Sequence, residues 1–173
     1  MVGGRSTNKN GLAYEIFTSL DSHCKIIEKF KHHTKIDVKG TKLVRASKYN
    51  FFKYMKDKKK KNIPDAHGCK QPDECYINEK TKQIFVIEKK FQRTSGSVCE
   101  KIQTSDFKLW QYSKLFPEYK VKYIYCLSDW FKYNCPSEIN YLHENNVPVL
   151  WGDQDDYKEI LVELITNDDL SSN

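Results

Sequence analysis

Pro72-Asp73-Glu74-Cys75-Tyr76-Ile77, a polar turn Asn78-Glu79-Lys80-Thr81-Lys82, and Gln83-Ile84-Phe85-Val86-Ile87-Glu88-Lys89-Lys90-Phe91-Gln92 read together as a β-hairpin. The second run alternates with period two. Ile84, Val86, Glu88, Lys90 and Gln92 share one face, and Phe85, Ile87, Lys89 and Phe91 share the other. Both faces begin apolar, as a strand covered on both sides would, yet one ends in three consecutive polar groups. An exposed edge strand with solvated charges is the plain alternative.

Working outward, Gly11 to Phe30 carries Leu12, Ile16, Phe17, Leu20, Cys24, Ile27 and Phe30 at helical spacing, which predicts an N-terminal helix. Lys35 to Val44 reads as a β-segment turning at Lys39-Gly40, and Lys48 to Lys56 as a helix leading into the charged block Lys58 to Lys61. Beyond the hairpin, Ser97 with Glu100 forms a capping box for a helix whose face is Val98, Ile102, Leu109, Tyr112 and Phe116. Lys101, Gln103 and Lys108 lie off that face. Lys120 to Trp130 reads as a strand beside the second hairpin strand, Pro136 opens a short helix, Val147 to Trp151 is a strand, and Tyr157 to Ile165 is a closing helix. Helices alternating with strands predict an α/β three-layer sandwich around a mixed central sheet. Residues 1–173 read as a single domain, with 1–9 and 166–173 expected to be flexible.

The pairing of Pro72-Asp73 with Glu88-Lys89-Lys90 resembles the PD-(D/E)xK nucleases, and within them the type II restriction endonucleases. The runs Lys70–Ile77, Phe85–Gln92 and Gly96–Thr104 carry the resemblance, which spans roughly residues 65 to 130. It implies a restriction-endonuclease-like core and Mg²⁺-dependent, sequence-specific hydrolysis of double-stranded DNA by a homodimer. Asp73 and Glu88 are then the metal ligands. Lys90 holds the scissile phosphate or helps deprotonate the attacking water, and Gln92 orients a water or phosphate oxygen. Glu15, on the N-terminal helix, is placed to add a further carboxylate; a solvent-facing Glu on an amphipathic helix is the alternative. The chemistry suits the residue types, because two converging carboxylates can hold a hard divalent cation that keeps positions open for water and phosphate. Pro64-Asp65 is a rival motif; Asp73 is preferred because it opens a β-rich segment. A Holliday-junction or repair nuclease of the same fold, and a non-catalytic DNA-binding module, stay open as readings.

Composition bounds these expectations. Net charge is +6 with pI near 8.9, which favours a polyanionic partner. Only Arg5, Arg45 and Arg93 of the 29 basic residues are arginine, so A+T-rich coding would inflate lysine whatever the function. The charge permits DNA binding without requiring it. Mean hydropathy is −0.73, no apolar run has the length of a membrane span, and the first residues lack a signal-peptide core, so an intracellular chain is expected. The six cysteines have no C-x-x-C spacing, and reduced thiols are the expectation. His67, Cys69 and Cys75 match no common zinc spacing.

Overall fold

A computed structural model describes residues 4–59, 71–94 and 99–167. Seven strands form one sheet whose spatial order is the chain order: β1 (Lys25–Lys29), β2 (Thr34–Val38), β3 (Thr41–Ala46), β4 (Glu74–Asn78), β5 (Gln83–Lys90), β6 (Lys120–Leu127) and β7 (Val149–Trp151). The first five are an antiparallel meander. β5, β6 and β7 run parallel, and parallel neighbours need crossover connections. Helices supply them: α3 (Ser105–Leu115) between β5 and β6, then α4 (Trp130–Asn134) and α5 (Pro136–Glu144) between β6 and β7. α1 (Gly4–Phe17), α2 (Lys48–Lys59) and α6 (Tyr157–Thr166) complete the set among the described residues.

Period-two alternation in β5 sorts the core into two layers. Ile84 and Val86 pack with Phe51 and Met55 of α2, Tyr112 of α3 and Leu142 of α5. Phe85 and Ile87 pack with Tyr14 of α1 and with Leu161 and Ile165 of α6. Helices therefore cover both faces of a mixed sheet, consistent with a three-layer sandwich. Each fully buried Ile, Val or Phe contributes roughly 1.5–3 kcal/mol, so the two-sided run in β5 anchors the sheet. No helix among the described residues is long and apolar enough to cross a membrane.

Several expectations need correction. The N-terminal helix spans Gly4–Phe17, not 11–30. It ends before a 3₁₀ turn at Asp21–His23, and Ile26 and Ile27 belong to edge strand β1. β-branched pairs suit a strand better than a helix, and the polar residues Ser19, Asp21 and Ser22 flanking buried Leu20 interrupt the helix before them. Tyr14 and Thr18 face the core, whereas Leu12, Ile16 and Phe17 do not. Likewise, Trp130 belongs to α4 instead of β6. Ser97, Val98, Asp65, Lys60, Lys61, His67 and Cys69 lie outside the described residues. After that gap a 3₁₀ turn at Cys99–Ile102 precedes α3. Cys99 and Cys135 form a disulfide, against the expectation of reduced thiols. Their Cα atoms stand 5.8 Å apart, inside bridging range, a tertiary proximity that spacing along the chain does not reveal. The β2–β3 turn at Lys39-Gly40 matches its reading, with φ of 48° and 85°, the left-handed pair a two-residue hairpin favours.

Candidate active site

Asp73 sits immediately before β4, and Glu88 and Lys90 sit at the end of β5. Glu74 pairs with Ile87, so continuing the antiparallel register sets Asp73 opposite Glu88 on one face of the sheet. Lys90 follows two residues on, on the same face. Its Nζ lies 2.6 Å from Glu88 Oε1 and 3.7 Å from Asp73 Oδ2. Asp73 Oδ2 also accepts the backbone N–H of Lys89 at 2.8 Å. The loop entering β4 is held in turn: the N–H of Lys48, first residue of α2, donates to the Pro72 carbonyl at 2.7 Å. The ammonium of Lys90 thus stands between two opposed carboxylates.

A second cation joins from the helical layer. Lys108 of α3 donates to Glu88 Oε1 at 2.9 Å and is itself buried. The sequence pattern sets it off the apolar face of its helix, yet its position three residues after Ser105, itself fully buried, puts it against the sheet. Nothing short of the tertiary contact identifies this residue. From the opposite side, Glu15 of α1 accepts from Lys48 Nζ at 2.8 Å, and its negative charge is felt at both Asp73 and Lys90. Asp73, Glu88, Lys90 and Glu15 are therefore brought together. Gln92 is not: its side-chain amide donates to the Thr94 carbonyl at 2.7 Å, and its backbone is fastened to Ser128.

Burial and charge oppose each other differently at each group. Burial, then the negative charges of Glu88 and Glu15, push the Asp73 carboxyl above its ordinary range, with Lys90 opposing. Burial alone would raise Glu88 too, but Lys90 and Lys108 outweigh it and hold that carboxyl below the usual value. Burial would lower Lys90, and Glu88 with Asp73 outweigh it, so this ammonium stays charged at neutral pH. The phenols of Tyr123 and Tyr125 are raised by burial first and by Glu88 second. They remain protonated.

No family model, curated protein or solved structure matches the chain. The site must be read from its own geometry.

Mg²⁺ takes oxygen ligands and is commonly held by one or two carboxylates with waters or phosphate completing the shell. Asp73 and Glu88 fit that donor set, and a cation would oppose the burial, and the lesser negative charges of Glu88 and Glu15, that raise the Asp73 carboxyl. The one trio of His, Cys, Asp or Glu donors within 4.8 Å of one another among the described residues is Cys99, Cys135 and Glu138, and its two sulfurs are joined in the disulfide. The face of the hairpin away from Asp73 holds a separate pair. Lys89 Nζ lies 2.8 Å from Glu74 Oε2 and donates to the Glu15 carbonyl at 3.0 Å. Tyr76 donates to Glu74 Oε1 at 2.7 Å. The lysine between Glu88 and Lys90 thus caps the last turn of α1, where carbonyls lack helical partners. Lys58, from the block read as a basic surface, is paired with Glu79.

Proposed function

We propose that the chain is a Mg²⁺-dependent endodeoxyribonuclease of the type II restriction class, hydrolysing phosphodiester bonds in double-stranded DNA as a homodimer. The observation that carries this reading is the opposition of Asp73 and Glu88 on adjacent strands with Lys90 Nζ between them. Asp73 and Glu88 would hold the metal, which when bound neutralises phosphate charge and acidifies a water. Lys90, charged across the neutral range, suits a phosphate oxygen better than a proton-abstracting role. It is a cation at the scissile group. Lys108 holds Glu88 ionised, and Glu15 balances Lys48 beside Asp73. The hairpin followed by a crossover helix and a parallel strand supports a restriction-endonuclease-like core.

Incubating supercoiled plasmid with the protein, with and without Mg²⁺, tests the reading. Discrete bands that require Mg²⁺ and vanish in Asp73→Asn and Glu88→Gln are expected. Intact plasmid under all conditions overturns it. One observation favours a second reading: Glu88 already carries two ammonium partners, as a structural ion cluster would. That reading predicts DNA binding with no cleavage in any divalent metal. Cutting confined to four-way junctions would select a resolvase instead.

A further inference from the structure

Two sulfurs and a carboxylate converge where the chain enters α3. Cys99 opens the 3₁₀ turn before that helix, Cys135 stands between α4 and α5, and Glu138 lies in the first turn of α5. The two Sγ atoms and a carboxylate oxygen all lie within 4.8 Å of one another. Cys135 is buried, whereas Cys99 and Glu138 are partly open, so an ion can arrive from solvent.

The surroundings suit a metal. Gln103 Nε2 donates to Glu138 Oε1 at 3.2 Å, which orients the carboxylate without exhausting its lone pairs. Among the described residues no ammonium or guanidinium pairs with Glu138, unlike Glu74, Glu79 and Glu88. Glu138 and Gln103 also border, with Ser137 and Tyr141, a cavity of about 380 Å³, which leaves room for a water as a further ligand. The partial positive charge at the start of α5 favours anionic donors there. Two thiolates and one carboxylate are a donor set for Zn²⁺, whereas Mg²⁺ takes oxygen.

The sulfurs are joined in the folded chain, so bridge and ion are alternatives. Tetrahedral Zn²⁺ with Zn–S bonds of about 2.3 Å sets two thiolates roughly 3.8 Å apart. With the Cα atoms 5.8 Å apart, side-chain rotation reaches that spacing. We propose that Cys99, Cys135 and Glu138, with a water as fourth ligand, form a Zn²⁺ site that replaces the disulfide under reducing conditions. A dithiol supplies two electrons and two protons: the Cys99–Cys135 bond breaks, two thiols form, and the dithiol closes to its own disulfide. Both thiol protons leave as Zn²⁺ binds. Either link ties the entry of α3, the helix that carries Lys108, to the junction of α4 and α5.

The test uses the full chain, reduced with excess dithiol, freed of it under argon and titrated with Co²⁺ as a spectroscopic substitute for Zn²⁺. Saturation at one ion per chain is expected, with a thiolate-to-cobalt charge-transfer band and the visible bands of a four-coordinate ion, both bleached by Zn²⁺. The oxidised chain should show neither. Cys99→Ser and Cys135→Ser should each abolish saturation of the charge-transfer band in the same concentration range. Gln103→Ala should weaken Co²⁺ about 10-fold, the lower end for an outer partner of a ligand, because Gln103 is exposed. Glu138→Gln should weaken it more. Glu138→Gln leaves both sulfurs in place and Cys99 is partly open, so these two variants carry the test even where Cys135→Ser does not fold. No charge-transfer band in the reduced chain, the same band in the oxidised chain or in Cys99→Ser, or full affinity in Glu138→Gln would overturn the proposal. An ion held by Asp73 and Glu88 has oxygen ligands and gives no thiolate band, so the outcome is independent of the nuclease reading.

Discussion

Lys90 and Lys108 both reach Glu88 Oε1, at 2.6 and 2.9 Å, yet they stand differently to the proposed reaction. Lys90 is shared with Asp73 and partly open, whereas Lys108 is enclosed beneath α3. Lys90→Ala should lower single-turnover cleavage on the order of 10²–10³-fold, the scale for one lost group that stabilises developing charge. DNA affinity measured in Ca²⁺ should change far less. Wild-type turnover would remove Lys90 from the mechanism. Lys108→Met should act through Glu88: with one ammonium gone, burial lifts that carboxyl, and the acid limb of the pH–rate profile moves to higher pH. An unmoved limb would mean Lys108 only packs. Asp73 has the opposite sign. Its folded-state carboxyl is raised, so in the absence of metal it contributes stability that is present at low pH and lost as pH rises through the raised value. Mg²⁺ requires the ionised form, so calorimetry should show Mg²⁺ affinity falling as pH is lowered through that value, with proton release on binding. Asp73→Asn should abolish the pH-linked proton release along with most of the affinity.

At the scale of elements, the hairpin was legible because β4 and β5 carry their environment in the period of the sequence. Covered strands read apolar on both faces, and polar groups emerge where the strand leaves the core at Glu88. α1 was legible only in part. Leu12, Ile16, Leu20, Cys24 and Ile27 keep a helical interval across a segment that breaks at Asp21, and two apolar groups of α1, Leu12 and Ile16, line a cavity instead of the core. Lys108 was invisible for another reason: its partner lies 20 residues away, and no local pattern encodes that contact. The Glu74–Lys89 pair is equally long-range in effect, because it ties the hairpin to the end of α1. Both side chains are buried, at 9 % and 3 % exposure. Lys89→Ala should therefore cost about 3–5 kcal/mol, the range for stranding one charge of a buried pair, read from urea denaturation. Adding Glu74→Gln should return part of it. No recovery in the double variant would show that the loss comes from the Glu15 carbonyl contact, not from the stranded carboxylate.

For the whole molecule, the Cys99–Cys135 bridge closes a segment of 36 residues that contains α3 and β6. Loop-closure entropy gives such a bridge a contribution of about 4 kcal/mol. Reducing agent, or the Cys99→Ser and Cys135→Ser pair, should lower the urea midpoint accordingly; an unchanged midpoint would mean the closed loop adds nothing to stability. The order of the sheet has a mechanical consequence. Each strand lies beside its predecessor, with β1 and β7 at the two edges, so tension applied through the chain ends reaches the edges first. β1, β2 and β3 would peel singly from one side and β7 from the other, instead of rupturing together in shear, while the Cys99–Cys135 bridge carries the load past α3 and β6. β4, β5 and β6 are the inner set on that path. In an optical trap, the two carboxylates would keep their spacing until the final extension steps, after both flanks of the sheet had been drawn away.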